Sequence, residues 1–231
     1  MGEALRKVDD EPAPPRLVET AYREIKRRIL RNRYPGGFQI LEDALAQELA
    51  MSRTPLKEAL VRLEQEGLIE ILPRRGVRVL PLDSDDVADI FEVLSSLEML
   101  AVRRLASRTD NAGEVARLRE RVDQMKAALE ADDLDAWVTA DEAFHRELVD
   151  ASGNKRLAAA ARTLLDQSQR FRMFTLRLRE KPLRSTRNHE ALVVALKRGD
   201  VARAEEVHAG HRASWHDTMR ELMKKFAIHH V

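Results

Sequence analysis

The stretch Ser52-Arg53-Thr54-Pro55-Leu56-Lys57-Glu58-Ala59-Leu60-Val61-Arg62-Leu63-Glu64-Gln65-Glu66-Gly67-Leu68 decides how the N-terminal part of this chain is read. Leu56, Ala59, Leu60 and Leu63 recur at the spacing that lines up one buried stripe on a helix. The pattern predicts a helix from about Arg53 to Glu66, broken at Gly67. Arg53 and Lys57, four residues apart, share another face. Ser52 is placed to cap the helix. Pro55 falls in the first turn, where its missing N–H costs nothing.

Working outward, a short helix is expected just before this one, from about Glu42 to Ala50. A longer one, Leu17 to Arg33, is carried by Val18, Ala21, Tyr22, Ile25, Ile29 and Leu30 and stopped by Tyr34-Pro35-Gly36-Gly37. Downstream, Leu68–Leu72 and Val77–Leu80 are two short β-type runs joined by the turn Pro73-Arg74-Arg75-Gly76, which predicts a hairpin. Three helices, a tight turn between the second and third, and a basic hairpin make a winged helix-turn-helix over residues 16–82. Such a unit sets the start of its third helix in the major groove of DNA. Ser52, Arg53, Thr54 and Lys57 sit at that start, where an arginine can bind guanine bidentately and hydroxyls can hold phosphates. Arg74 and Arg75, held up by Gly76, are placed to reach the minor groove or the backbone. Taken alone, Arg53 and Lys57 also fit a plain solvated helix face; the hairpin and the tight turn favour the DNA reading. Residues 16–82 hold 13 Lys and Arg against 9 Asp and Glu, whereas the whole chain is only +1, so the positive excess lies in this segment.

After Pro81 strand signals cease. Helices are expected from about Asp83 to Ser107, Asn111 to Ala131, Leu134 to Ala151, Lys155 to Arg179, Pro182 to Arg198 and Val201 to Phe226. The fold class is therefore mainly α, a winged helix-turn-helix followed by an all-α helical bundle over 83–231. Residues 1–15 are acidic and proline-bearing with no apolar h-region, and read as a disordered leader rather than a signal peptide. No stretch approaches the roughly 20 apolar residues of a membrane span, so no membrane partner is expected. The absence of cysteine excludes disulfides, thiolate metal sites and cysteine catalysis, and fits a cytoplasmic location.

The bundle carries polar residues where apolar ones are expected. Trp137, Asp141, Phe144 and Leu148 share a stripe, with His145 one turn beyond Asp141. His189 heads the stripe Leu192, Val193, Leu196. His211 falls within Ala204, Val207, Trp215, Thr218 and Leu222. Each histidine singly fits a hydrogen-bonded core residue. A buried carboxylate, however, is costly unless compensated, and Asp141, His145, His189 and His211 have one joint explanation: together they bind a divalent metal. Imidazole plus carboxylate suits zinc first, with nickel, iron or manganese also possible. His208 is a competing candidate, and His216, His229 and His230 read as surface or tail residues.

The head, from Leu41-Glu42-Asp43-Ala44-Leu45-Ala46 through Ser52–Leu60 and Leu63–Ile69 to Arg75-Gly76-Val77-Arg78-Val79, closely resembles the GntR family of transcription regulators. The family usually has Arg where this chain has Lys57, and a lysine gives up bidentate geometry. The body resembles the FCD domain of the FadR-type subfamily through Leu97-Glu98 with Leu105-Ala106, Asp141-Glu142-Ala143-Phe144-His145, Ser152-Gly153-Asn154, His189, and Gly199-Asp200 with Ala204 and His211. The resemblance implies a homodimer on palindromic double-stranded DNA. It also implies a metal held by Asp141, His145, His189 and His211, the last favoured over His208 by its distance from Gly199-Asp200. Coordination positions would remain for a small carboxylate effector. The family often has an arginine about four residues before the Glu matching Glu98, and here that position is Leu94. Arg103, Arg104, Arg170 or Arg172 is expected to substitute in binding the effector. A regulator whose metal is structural or itself sensed, with no organic effector, is the alternative. A metalloenzyme is disfavoured, because Glu142 lies on the wrong side of its helix to act as acid or base.

Overall fold

The computed structural model describes residues 15–226; the expected leader up to residue 14 and the tail from 227, with His229 and His230, lie outside them. Cα packing divides the chain after Pro81 into two units. That is one residue earlier than expected, because Leu82 packs with Val87, Ile90, Phe91 and Phe171 of the second unit.

The first unit has helices α1 (Pro15–Leu30), α2 (Glu42–Glu48) and α3 (Arg53–Gln65), and strands β1 (Gln39–Ile40), β2 (Ile69–Leu72) and β3 (Gly76–Val79). Helices α1 and α2 end short of the expected Arg33 and Ala50, because the chain turns left-handed at Asn32 (φ 54°) and at Ala50 (φ 51°). Met51 N–H then donates to the Ala46 carbonyl, which closes the tight turn into α3. The sheet is antiparallel in the order β1-β3-β2, with Ile69 opposite Val79 and Leu72 opposite Gly76. Strand β1 is too short to leave a periodic signal. Its place is set by pairing, Gln39 with Arg78 and Ile40 with Val77. Ile25, Ile29, Leu45, Leu56, Leu60, Leu63, Leu68 and Val77 share one core. Emptying one of those leucine sites would cost about 2–5 kcal/mol. Tyr22 and Lys26 of α1 both donate to Glu66, at 2.6 Å each, and lock the end of α3 onto α1.

The elements of the second unit among the described residues are the helices α4 (Ser84–Ala106), α5 (Ala112–Glu130), α6 (Leu134–Ala151), α7 (Lys155–Thr175), α8 (Leu183–Arg198) and α9 (Val201–Phe226). Asp83, Asp133 and Asn154 cap α4, α6 and α7 through their side chains, and Gly199 at φ 65° ends α8. Helix α7 stops at Thr175 rather than running to Arg179. Helix α4 packs against α6, α7, α8 and α9. Its stripe Leu94, Ala101, Val102 and Leu105 meets Phe144, Leu148, Leu192, Val193 and Leu196 in the main core. No described helix is long and apolar enough to cross a membrane.

Candidate DNA-reading face and metal centre

Helix α3 buries Leu56, Ala59, Leu60 and Leu63 and leaves Ser52, Arg53 and Lys57 exposed, with Thr54 half-buried. Ser52 stands at the N-cap in extended conformation but makes no capping bond through its hydroxyl, so that oxygen is not committed to the helix. Arg53 reaches back to Asp43 of α2 at 2.5 Å, both side chains more than half exposed, so this pair is weak and solvent-screened. Arg74 and Arg75 project from the β2–β3 turn and are exposed. Gly76 is buried and serves the wing's geometry: its φ is +82°, and a Cβ there would come within 2.1 Å of the Ile40 carbonyl oxygen. The Gln39 amide donates to the Arg75 carbonyl at 2.9 Å, tying the turn to β1.

In the second unit, α6, α8 and α9 bring His145, His189 and His211 together, with one nitrogen of each within 4.8 Å of the others. Asp141, one turn before His145, points the same way; its Oδ1 lies 3.8 Å from His145 Nε2 and 3.6 Å from His189 Nε2. Its Oδ2 accepts from Arg172 at 3.1 Å. Burial alone would raise the Asp141 carboxyl; the charge of Arg172 leads the effects that outweigh it and hold Asp141 below its ordinary value. Burial, helped by Arg172, pushes His145 down to about 3; burial also pushes His189 to about 3, so both are neutral at physiological pH.

A neutral imidazole has one donor and one acceptor. His145 Nδ1–H donates to Glu98 Oε1 at 2.9 Å and His189 Nδ1–H donates to the Ser185 carbonyl at 2.7 Å. Their Nε2 atoms are then both acceptors, and they face each other at 3.4 Å beside a carboxylate oxygen. Lone pairs so placed repel unless a cation lies between them. Two nitrogens about 2.1 Å from a tetrahedral zinc are about 3.4 Å apart, so the residues present fit a divalent ion. The outer bonds to Glu98 and Ser185 are those that hold metal-binding imidazoles in one tautomer. Glu98 itself is fully buried; it also takes an ion pair from Arg212 and lies 3.3 Å from His208 Nε2.

The chain matches the family described as "Bacterial regulatory proteins, gntR family" over residues 17–79 and that described as "FCD domain" over residues 89–214. It belongs to the GntR family, with a C-terminal FCD domain. Among its relatives, an HTH-type transcriptional regulator from the TAR-I ttuE-ttuC' intergenic region of Agrobacterium vitis is 43% identical over 134 residues, 57% of this chain and 78% of that protein. The transcriptional repressor GlaR of Escherichia coli is 28% identical over 199 residues, 82% of this chain and 90% of that protein. The solved structure of E. coli McbR/YncC matches with a TM-score of 0.79 at 20% identity, over 89% of this chain and 97% of that one, a likeness of fold. This GntR-family protein is therefore a DNA-binding transcriptional regulator, and its relatives are regulators rather than enzymes.

The structure brings the three expected ligand histidines together, and Asp141 stands beside two of them, His145 and His189, without joining the group whose ligand atoms all lie within 4.8 Å of one another. His208 is buried but turned to Glu98, outside the cluster. Helix α9 is rotated relative to the expected stripe: Ala204, His208, Arg212, Met219 and Leu222 are its buried positions, and His211 sits at the edge, half-buried. His216, expected at the surface, is half-buried with its ring edge against Phe91. Of the arginines expected to meet an effector, Arg172 stands at the cluster. Arg103 and Arg104 do not: both are exposed on α4, Arg103 pairing with Glu205 and Arg104 donating to the Ser152 carbonyl. Arg170 is buried on α7 but does not line the cavity around the histidines. That cavity is lined instead by Arg172, Arg179 and Arg212, with Trp137 and Trp215. Sequence reasoning missed Arg179, Arg212 and the role of Glu98. The available signal was a charged residue on an apolar stripe, Glu98 between Leu94 and Val102.

Proposed function

We propose that this regulator is a ligand-responsive repressor: Asp141, His145, His189 and His211 hold a divalent metal, zinc first among candidates, and a small carboxylate effector bound there changes operator affinity. The observation that carries the reading is the pair of neutral imidazoles with both Nε2 acceptors facing each other at 3.4 Å beside Asp141 Oδ1. When bound, the ion supplies a Lewis-acid anchor for a carboxylate. The protein's residues orient the imidazoles through Glu98 and Ser185 and balance charge through Arg172. A cleft of about 440 Å³, bordered by His211, opens the site to solvent and suits a small acid.

In the head, Arg53 reads a base edge, Ser52, Thr54 and Lys57 hold phosphates, and Arg74 and Arg75 on the Gly76 wing engage the neighbouring groove or backbone. A homodimer in the cytoplasm would present two such heads to a palindromic operator. Repression is supported by a relative named as a repressor. Fluorescence-anisotropy titration of operator DNA, with zinc-loaded and metal-stripped protein and a panel of organic acids, tests this. An acid that shifts operator affinity only in the metal-loaded protein is the expected result. Identical DNA binding under every condition would defeat it and leave a structural metal as the better reading.

A further inference from the structure

Three arginines line the cavity around the histidines, and two of them are neutralised. Arg172 pairs with Asp141 at 3.1 Å, and Arg212 pairs with Glu98. Arg179 has no carboxylate within ion-pair distance among the described residues. Its guanidinium lies 4.6 Å from the Trp215 ring and 5.6 Å from that of Trp137, so indoles cover it. Arg172 and Arg212 each keep one buried donor without an acceptor, whereas Arg179 has two on one edge, Nε and a terminal amine. Nε and a terminal amine together form the edge that takes a carboxylate bidentately. Trp215 Nε1, beside it, is also a buried donor without an acceptor. Unpaired buried donors are uncommon because they are costly, and each calls for a partner.

The volumes say where that partner would sit. The inner space bordered by Asp141, His145 and His211 is about 10 Å³, room for an ion but not for an acid. The outer cleft is about 440 Å³, and the residues common to both are Arg179, Ser185, His211 and Trp215. An acid in the cleft meets the ion on one side and Arg179 with Trp215 on the other. At the cleft's rim Lys181 pairs with Asp132, and Arg184 and Lys225 balance Glu180 and Glu221 in number; with Arg172 and Arg212 also paired, a divalent ion and Arg179 leave three positive charges. One carboxylate leaves two of them uncompensated, and two carboxylates leave one.

We infer that Arg179 and the indole N–H of Trp215 form a second anion subsite, and that the effector is a dicarboxylate rather than a monocarboxylate. This rests on the cavity being the acid-binding metal site proposed above. The test is isothermal titration calorimetry on the zinc-loaded full chain with acids matched in length: malate against 2-hydroxybutyrate, and 2-hydroxyglutarate against 2-hydroxyvalerate. Within each pair only a terminal carboxylate is exchanged for a methyl group. The wild type is expected to bind at least one diacid about tenfold or more tighter than its partner. Arg179→Gln should abolish that preference while leaving the monoacid within about twofold. Arg179→Lys keeps the charge without the fork and should fall between. Trp215→Phe keeps the ring over Arg179, removes the N–H, and should weaken the diacid alone; it carries the test if Arg179→Gln does not fold. Equal binding within both pairs, or equal weakening of diacid and monoacid by Arg179→Gln, overturns the subsite while the metal-acid reading stands. Binding of none of the four acids overturns both.

Discussion

The two units of this regulator place the same kinds of side chain in opposite environments. In the head, Arg53, Lys57, Arg74 and Arg75 stand in solvent on surfaces whose other side is apolar core. In the body, Glu98, Asp141, Arg172 and Arg212 are buried and partnered. An exposed charge costs little to keep and little to remove, so it is available for an outside ligand. A buried one must be matched where it stands. Charge at the head is thus open to an outside ligand, whereas charge in the body is matched within the fold. Substitutions in the two regions should therefore separate stability from DNA affinity.

The largest effect is expected from Arg212→Ala, which leaves Glu98 buried with its cation removed. Urea unfolding should show a loss of about 3–5 kcal/mol, and a loss under about 1 kcal/mol would mean the pair is not buried as described. Metal removal comes next. At a thousandfold excess over its dissociation constant a bound ion adds about 4 kcal/mol. His189→Ala should abolish both the bound zinc, read by elemental analysis, and the rise in melting temperature on adding it.

The metal-free protein should also respond to pH. Burial holds His145 and His189 at about 3 and His208 at about 4, against an ordinary 6.5 in the unfolded chain. The unfolded chain takes up protons that the native state refuses. Stability is then fully present above about pH 6.5 and falls as pH drops toward about 3. A melting temperature unchanged between pH 7.5 and 5 would count against buried neutral histidines.

Gly76→Ala should be smaller in stability, about 1–3 kcal/mol for the strained backbone. It should also weaken operator binding, because the wing must move away from β1. Arg53→Ala should be smallest of all in stability, within about 0.5 kcal/mol, yet cost about 1–3 kcal/mol of operator discrimination in a competition assay. Equal loss on operator and random DNA would reassign Arg53 from a base to the backbone.

Most of the head was legible in the sequence because its helices and hairpin have local causes. Leucine spacing sets α3, Gly67 ends it, and Gly76 is required where β1 crowds the turn. Strand β1 was not legible, since two residues carry no period and only pairing defines them. In the body, Asp141 and the three clustered histidines were visible as polar residues on apolar stripes. The rotation of α9 was not, because Val207, Trp215 and Leu222 offer one plausible face and Ala204, Met219 and Leu222 another. Only packing against Glu98 selects the face with His208 and Arg212. Arg179 lies beyond the end of α7, where no helical period applies, so its place between two indoles is a purely tertiary fact.

The most direct test of the metal centre is an anomalous-difference map from crystals of the full chain grown with zinc. The account predicts one peak about 2.0–2.2 Å from Asp141 Oδ1 and from a nitrogen each of His145, His189 and His211. A map with no peak among these four side chains, while zinc binds elsewhere or not at all, would contradict it.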